Sequence, residues 1–192
     1  MRSLLARSFA ALLALPLGAC VSFTNGVVDK PIANDERLIG YWQIIEKPEG
    51  SMMITANGPT SISITLYEDS ACEKSERLVA MRTRIEGRDF LDLTTIAEDR
   101  TPREFEPIGY EFPASERLAL FGPNNESFTQ AVETKELAGT ITKPPQNEQN
   151  PFVAVKASTA DLRQWIAAHP AAMHDKPIEF VRRDPASAPH CG

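Results

Sequence analysis

Histidine is scarce in this chain, and the scarcity removes most metal chemistry. His169, His174 and His190 are the only three. The first two stand five apart across Pro170, a spacing that does not put both on one helical face. A zinc site needs three or four ligands with supporting partners, so no metal and no cofactor is expected. The nucleophile elbow G-x-S-x-G, the phosphate loop G-x-x-x-x-G-K-[ST], the fingerprint G-x-G-x-x-G and the zincin H-E-x-x-H are all missing. Glu73, Glu76, Glu98, Asp99 and Glu104 read as solvated loop charges rather than a catalytic pair, which needs a cleft. The chain is therefore read as not an enzyme. Positive charge is also short: 20 Lys and Arg stand against 26 Asp and Glu, for a net −6. Such a chain is repelled by phosphate backbones, so nucleic acid is not an expected partner.

What is present begins at the N-terminus. Arg2 and Arg7 precede the apolar run Phe9–Leu15, and Leu17-Gly18-Ala19-Cys20 closes the region. A charged start, an apolar stretch and small residues at the end are the layout of a secretory signal. The run falls short of the roughly 20 residues needed to span a bilayer. Leu17-Gly18-Ala19-Cys20 resembles the lipobox of bacterial lipoproteins. That resemblance implies a diacylglyceryl group on Cys20, removal of residues 1–19 and acylation of the new amino terminus. An ordinary secreted protein with a chance cysteine is the alternative. Cleavage leaves 173 of the 192 residues, the size of one domain, with the formal charge at −8. Attachment then rests on acyl chains, two or more of which anchor stably. Val21 rather than aspartate follows Cys20. By the same resemblance the destination is the outer membrane, with the domain facing the periplasm.

Cys72 and Cys191 remain as a pair, 119 residues apart, in an oxidising compartment. A disulfide between them is a candidate, and two free thiols are the alternative. His190 beside Cys191 would lower a free thiol's pKa, a role that vanishes if Cys191 is bridged.

Residues 20–37 are polar and turn-rich without period, and read as the lipidated start and a flexible tether. Residues 38–183 form a β-rich globular domain with two helices, and residues 184–192 a tail. In Thr60–Tyr67, Ile62, Ile64 and Leu66 alternate with Ser61, Ser63 and Thr65, the pattern of a half-buried strand. Met52–Thr55 precedes it across a turn-forming Ala56–Pro59. A second hairpin runs from Leu78–Ile85 into Phe90–Ile96, and a third joins Tyr110–Phe112 to Leu118–Phe121, which makes a meander. A first helix is expected over about Glu126–Leu137, capped by Asn124 or Asn125. A second starts at Ser158-Thr159-Ala160-Asp161, a capping box, and stops at Pro170. Strands are expected at Phe152–Ala157 and Ile178–Arg182.

Gly40-Tyr41-Trp42 resembles the G-x-W that opens the first strand of lipocalins and related calycin barrels, where the tryptophan plugs the closed end. It also looks like the start of uncharacterised proteobacterial lipoproteins. The expected fold is mainly β, a lipocalin-like or incomplete antiparallel barrel or meander with two helices packed on it. A curved open sheet under two helices is the second reading. Two helices before the last strand depart from the lipocalin order.

Trp42, Ile62, Ile64, Leu66, Phe90, Phe112, Phe121 and Trp165 are candidates to line an apolar pocket or, more commonly for such residues, to be plain core. Arg82 and Arg84 share a strand face and suit a carboxylate or phosphate head, unless nearby acids pair with them. Two function classes follow. One is a binding module for a small hydrophobic or amphipathic ligand. The other is an interaction or structural lipoprotein that contacts an envelope protein.

Overall fold

The computed structural model describes residues 21–67, 75–96, 102–142, 151–173 and 176–189. The signal, Cys20, Cys72, Cys191, His174, His190, Glu73, Glu98 and Asp99 lie outside the described residues, and with them the lipidation and disulfide expectations.

The strands are β1 (Val21–Phe23), β2 (Gly40–Ile44), β3 (Ser51–Ala56), β4 (Ser61–Tyr67), β5 (Ser75–Ile85), β6 (Arg88–Ile96), β7 (Pro102–Ala114), β8 (Arg117–Phe121), β9 (Gly139–Thr142), β10 (Phe152–Val155) and β11 (Ile178–Arg183). Strands β2 through β8 follow one another as antiparallel neighbours. β11 then pairs antiparallel with both β8 and β2 and closes an eight-stranded barrel. The open-sheet alternative is thereby excluded. Alternation decides which side chains enter: Ile62, Ile64 and Leu66 point inward from β4, while Ser61, Ser63 and Thr65 stay half-exposed. The β5–β6 connection is a tight two-residue turn with Glu86 at φ 46 and Gly87 at φ 80. Positive φ at both positions matches the twist of a hairpin.

β7 is much longer than the expected Tyr110–Phe112. Pro102, Pro107 and Pro113 interrupt its pattern, and proline ordinarily argues against a strand. Pro113 sits where the β7–β8 register shifts between Glu111 and Ala114, so the irregularity absorbs the missing donor.

Between β8 and β11 the chain makes an excursion that accounts for the departure from the lipocalin order. It contains α1 (Asn125–Glu133), β9, β10 and α2 (Thr159–Ala168). The Asn124 side chain caps α1 by accepting from Ser127 N. Ser158 caps α2 by accepting from Asp161 N at 3.2 Å, and its own hydroxyl lies 2.7 Å from the Asp161 carboxylate. α1 ends earlier than expected: Lys135 turns left-handed at φ 64, yet Leu137 remains buried.

The expected flexible tether is corrected by the structure. β1 runs parallel to β10 and meets β7 at Phe23↔Phe105. Phe23 and Val27 are 0% exposed. They join Phe90, Phe128, Val153, Leu162 and Trp165 in a second core, between the outer barrel wall and the excursion. The segment has only these isolated apolar anchors, so no period announces them. Further on, the Asn34 side chain donates to Gly58 O and Ser61 O. A 3-10 turn at Glu36–Leu38 then lies at the barrel end where β2 begins.

The barrel interior is the first core, built from Trp42, Ile54, Ile64, Leu91, Ile108, Phe180 and their neighbours. Trp42 is fully buried and its indole N–H donates to Leu38 O at 2.8 Å.

Candidate ligand groove

The expected pocket residues divide between two cores. Ile62, Ile64 and Leu66 face the barrel interior, where Trp42 packs with Phe112, the rings 6.1 Å apart. Phe90, Phe121 and Trp165 lie on the other side of the barrel wall, in or against the second core. These eight residues therefore do not enclose one cavity. The interior void is about 30 Å³, bounded by apolar side chains such as Met52, Ile64, Leu91 and Phe180. That is room for about one or two water-sized molecules, and an apolar lining keeps such a void dry.

A larger space of about 450 Å³ opens beside Phe112 and the Glu86-Gly87 turn. Its origin is a mismatch of strand lengths. The last described β6–β7 pair at this end is Asp89↔Tyr110, but β7 continues to Ala114 along β8. Glu111 and Phe112 thus outrun the Glu86-Gly87 turn and leave a gap on that side. Gly87, Arg88 and Asp89 line one flank; Gly109 to Phe112, with Phe121, line the other; Arg37 reaches over from the 3-10 turn.

Charges at the groove are held in place by specific partners. Arg37 grips Asp35 through two side-chain hydrogen bonds of 2.9 and 2.7 Å, and its guanidinium stacks over Phe112 at 4.4 Å. Burial alone would raise the Asp35 carboxyl, but the Arg37 hydrogen bonds outweigh it and hold the carboxyl below its ordinary value. Asp89 accepts from Arg82 at 2.8 Å and from Arg84 at 3.0 and 2.9 Å. The sequence alternative is thus the one that forms: Arg82 and Arg84 are paired with an acid of their own hairpin rather than free for a ligand head. Burial raises the Tyr110 hydroxyl's pKa and keeps it neutral. It lies beside Arg82, yet neither the hydroxyl nor Arg82 Nε–H finds an aligned hydrogen-bond partner. Arg88 stands over Phe90 at 5.6 Å and donates to Pro170 O at 3.3 Å.

None of Arg37, Arg88, Asp89, Tyr110 or Glu111 was singled out as a site residue by the sequence. The signals were a charged Asp35-Glu36-Arg37 immediately before the barrel and an Arg88-Asp89 pair just after a hairpin turn, both common on solvated surfaces.

Two other polar features stand apart from the groove. Trp165 donates its indole N–H to Glu136 at 2.9 Å, and His169 stacks on the Trp165 ring at 4.5 Å. Asp92, on the outer face of β6, is 1% exposed; burial pushes its carboxyl up to about 6, although Val27 and Val28 N–H groups donate to it. Its Oδ1 has no hydrogen-bond partner. Among the described residues no cluster of three or more His, Cys, Asp or Glu is arranged to hold a metal, and no helix is long and apolar enough to cross a membrane.

The eight-stranded antiparallel barrel with two helices has the lipocalin-like fold class expected from the sequence. Comparison with known proteins found no significant match to a family model, a curated protein or a solved structure.

Proposed function

We propose that this chain is an outer-membrane-anchored, periplasm-facing lipoprotein. Its barrel serves as a non-enzymatic binding module for a small amphipathic ligand. The observation that carries the reading is the contrast between a filled interior, with a void of about 30 Å³, and a 450 Å³ groove at the rim. Ligand pockets span about 300–1,000 Å³ and combine apolar walls with a few placed polar groups. The groove has that size and sets Phe112 and Phe121 among charged groups, so the ligand seat belongs at the rim rather than in the lumen. Cys20 supplies the anchor, through the lipobox resemblance.

Native mass spectrometry of the full chain, extracted in detergent, tests the reading. A small molecule retained at one per chain, and displaced by 1-anilinonaphthalene-8-sulfonate, supports it. A cooperatively folded chain that carries nothing and binds no such probe counts against it.

One observation favours the second reading, an envelope interaction protein. Among the described residues β9 ends the sheet extension with no strand beyond it, and Phe152 on adjoining β10 is the one large exposed apolar side chain. Site-specific crosslinking from Phe152 in intact cells would capture a protein partner under that reading.

A further inference from the structure

We infer that the groove selects a small anionic aromatic molecule, with a carboxylate or phosphate head held by Arg88 and Arg37 and a ring resting against Phe112 and Phe121. This rests on the ligand-module reading and names the chemical class it takes.

Charge is the first argument. The chain is acidic overall, at −6. Yet the groove lining is balanced, with two guanidinium groups, Arg37 and Arg88, and two carboxylates, Asp89 and Glu111. Asp35 and Asp89 already engage Arg37, Arg82 and Arg84, so the charge left to meet an anion is that of Arg88.

The pairing pattern is the second. Asp35 holds Arg37, and Asp89 is shared by Arg82 and Arg84. No carboxylate of a described residue pairs with Arg88. A guanidinium carries five N–H donors in a planar fork matched to carboxylate and phosphate. Among the described residues, this one uses a single contact, to Pro170 O. The groove therefore offers, among the described residues, one guanidinium without a carboxylate partner, which an anionic acceptor matches.

The walls are the third. Phe112 and Phe121 are both half-buried and line the space. Arg37 already covers part of the Phe112 ring. The volume of about 450 Å³ accommodates one ring with its head group.

Calorimetric titration of the full chain in detergent tests the class, with benzoate, phenyl phosphate, benzyl alcohol, benzylamine and inorganic phosphate as probes. Benzoate and phenyl phosphate should bind one per chain. Benzyl alcohol, which keeps the ring, and inorganic phosphate, which keeps only the head, should each bind at least roughly tenfold more weakly. Arg88→Gln should weaken both anions by roughly tenfold, and Glu111→Gln should strengthen them by about two- to threefold through loss of a like charge. Both side chains are exposed, so neither change disturbs a core. If benzyl alcohol or benzylamine binds as well as benzoate and Arg88→Gln has no effect, the anionic class is overturned while the ligand-module reading stands. If no aromatic probe binds, both fall.

Discussion

Arg182 stacks over Trp42, its guanidinium 4.3 Å from the centre of the indole. The same side chain donates to Ile39 O at 2.7 Å and to Arg37 O, and pairs with Glu116 at 3.3 Å. One residue of the last barrel strand thus fastens the 3-10 turn, the residue leading into β2 and the β7–β8 turn over the buried tryptophan. Gly40 makes room for it: at φ +143 it is extended in the region closed to L side chains, and a Cβ there would lie 2.6 Å from the guanidinium.

This latch has a measurable worth. Arg182→Lys keeps the charge but loses the planar fork and the stacking surface, and should cost about 1–3 kcal/mol in urea unfolding. A lysine variant as stable as the parent would show that the stacked, forked geometry adds nothing.

Asp92 should make stability fall as pH rises. Its carboxyl is raised from 3.8 to about 6 in the fold, so the folded chain holds a proton that the unfolded chain releases. The stabilisation from that proton is complete below 3.8 and is lost as pH rises through about 6. Asp92→Asn keeps an acceptor for Val28 N–H without the charge. It should be more stable than the parent by about 1–3 kcal/mol above pH 7, with the difference vanishing toward pH 4. Parallel urea titrations of the two proteins across that range measure it; a constant difference would mean that Asp92 does not titrate there.

The N-terminal segment should behave as part of the fold. Arg163 donates to Val27 O at 2.7 Å and to Thr83 Oγ1 at 2.9 Å, while Asp92 receives Val28 N–H from the other side. At Gly26 a Cβ would stand 1.7 Å from Asp92 Oδ2. Gly26→Ala should therefore destabilise by about 2 kcal/mol or more. Arg163→Ala should speed amide exchange at Val28 well above the rate in β4. Fast exchange throughout residues 21–28 in the parent would restore the tether.

Legibility in the sequence followed regularity. β4 was plain because Ile62, Ile64 and Leu66 alternate without interruption, and α2 because Ser158 and Asp161 mark its start. β7 was truncated in the reading because prolines break its pattern, and barrel closure bends around them. β1 has no signal because three residues show no period, and their strand exists by long-range pairing, with β10 at Val21↔Val153, 132 positions away, and with β7 at Phe23↔Phe105. Closure itself is a long-range event between β11 and β2, which local pattern does not encode. The groove was illegible for the same reason: it arises where two hairpins differ in length.

Cys20→Ser should abolish acylation and with it stable membrane attachment, read by fractionation of the envelope. A variant that still sediments with outer membranes would remove the single-anchor argument, whatever the barrel binds.

The central claim is that ligand sits at the rim and not in the lumen. The most direct measurement is an NMR titration of the full chain with phenyl phosphate, following backbone amides together with Ile, Leu and Val methyl groups. The account predicts shifts at the Gly87, Gly109 and Phe121 amides, with the methyls of Ile64 and Leu91 unmoved. Saturable shifts confined to those lumen methyls would contradict it.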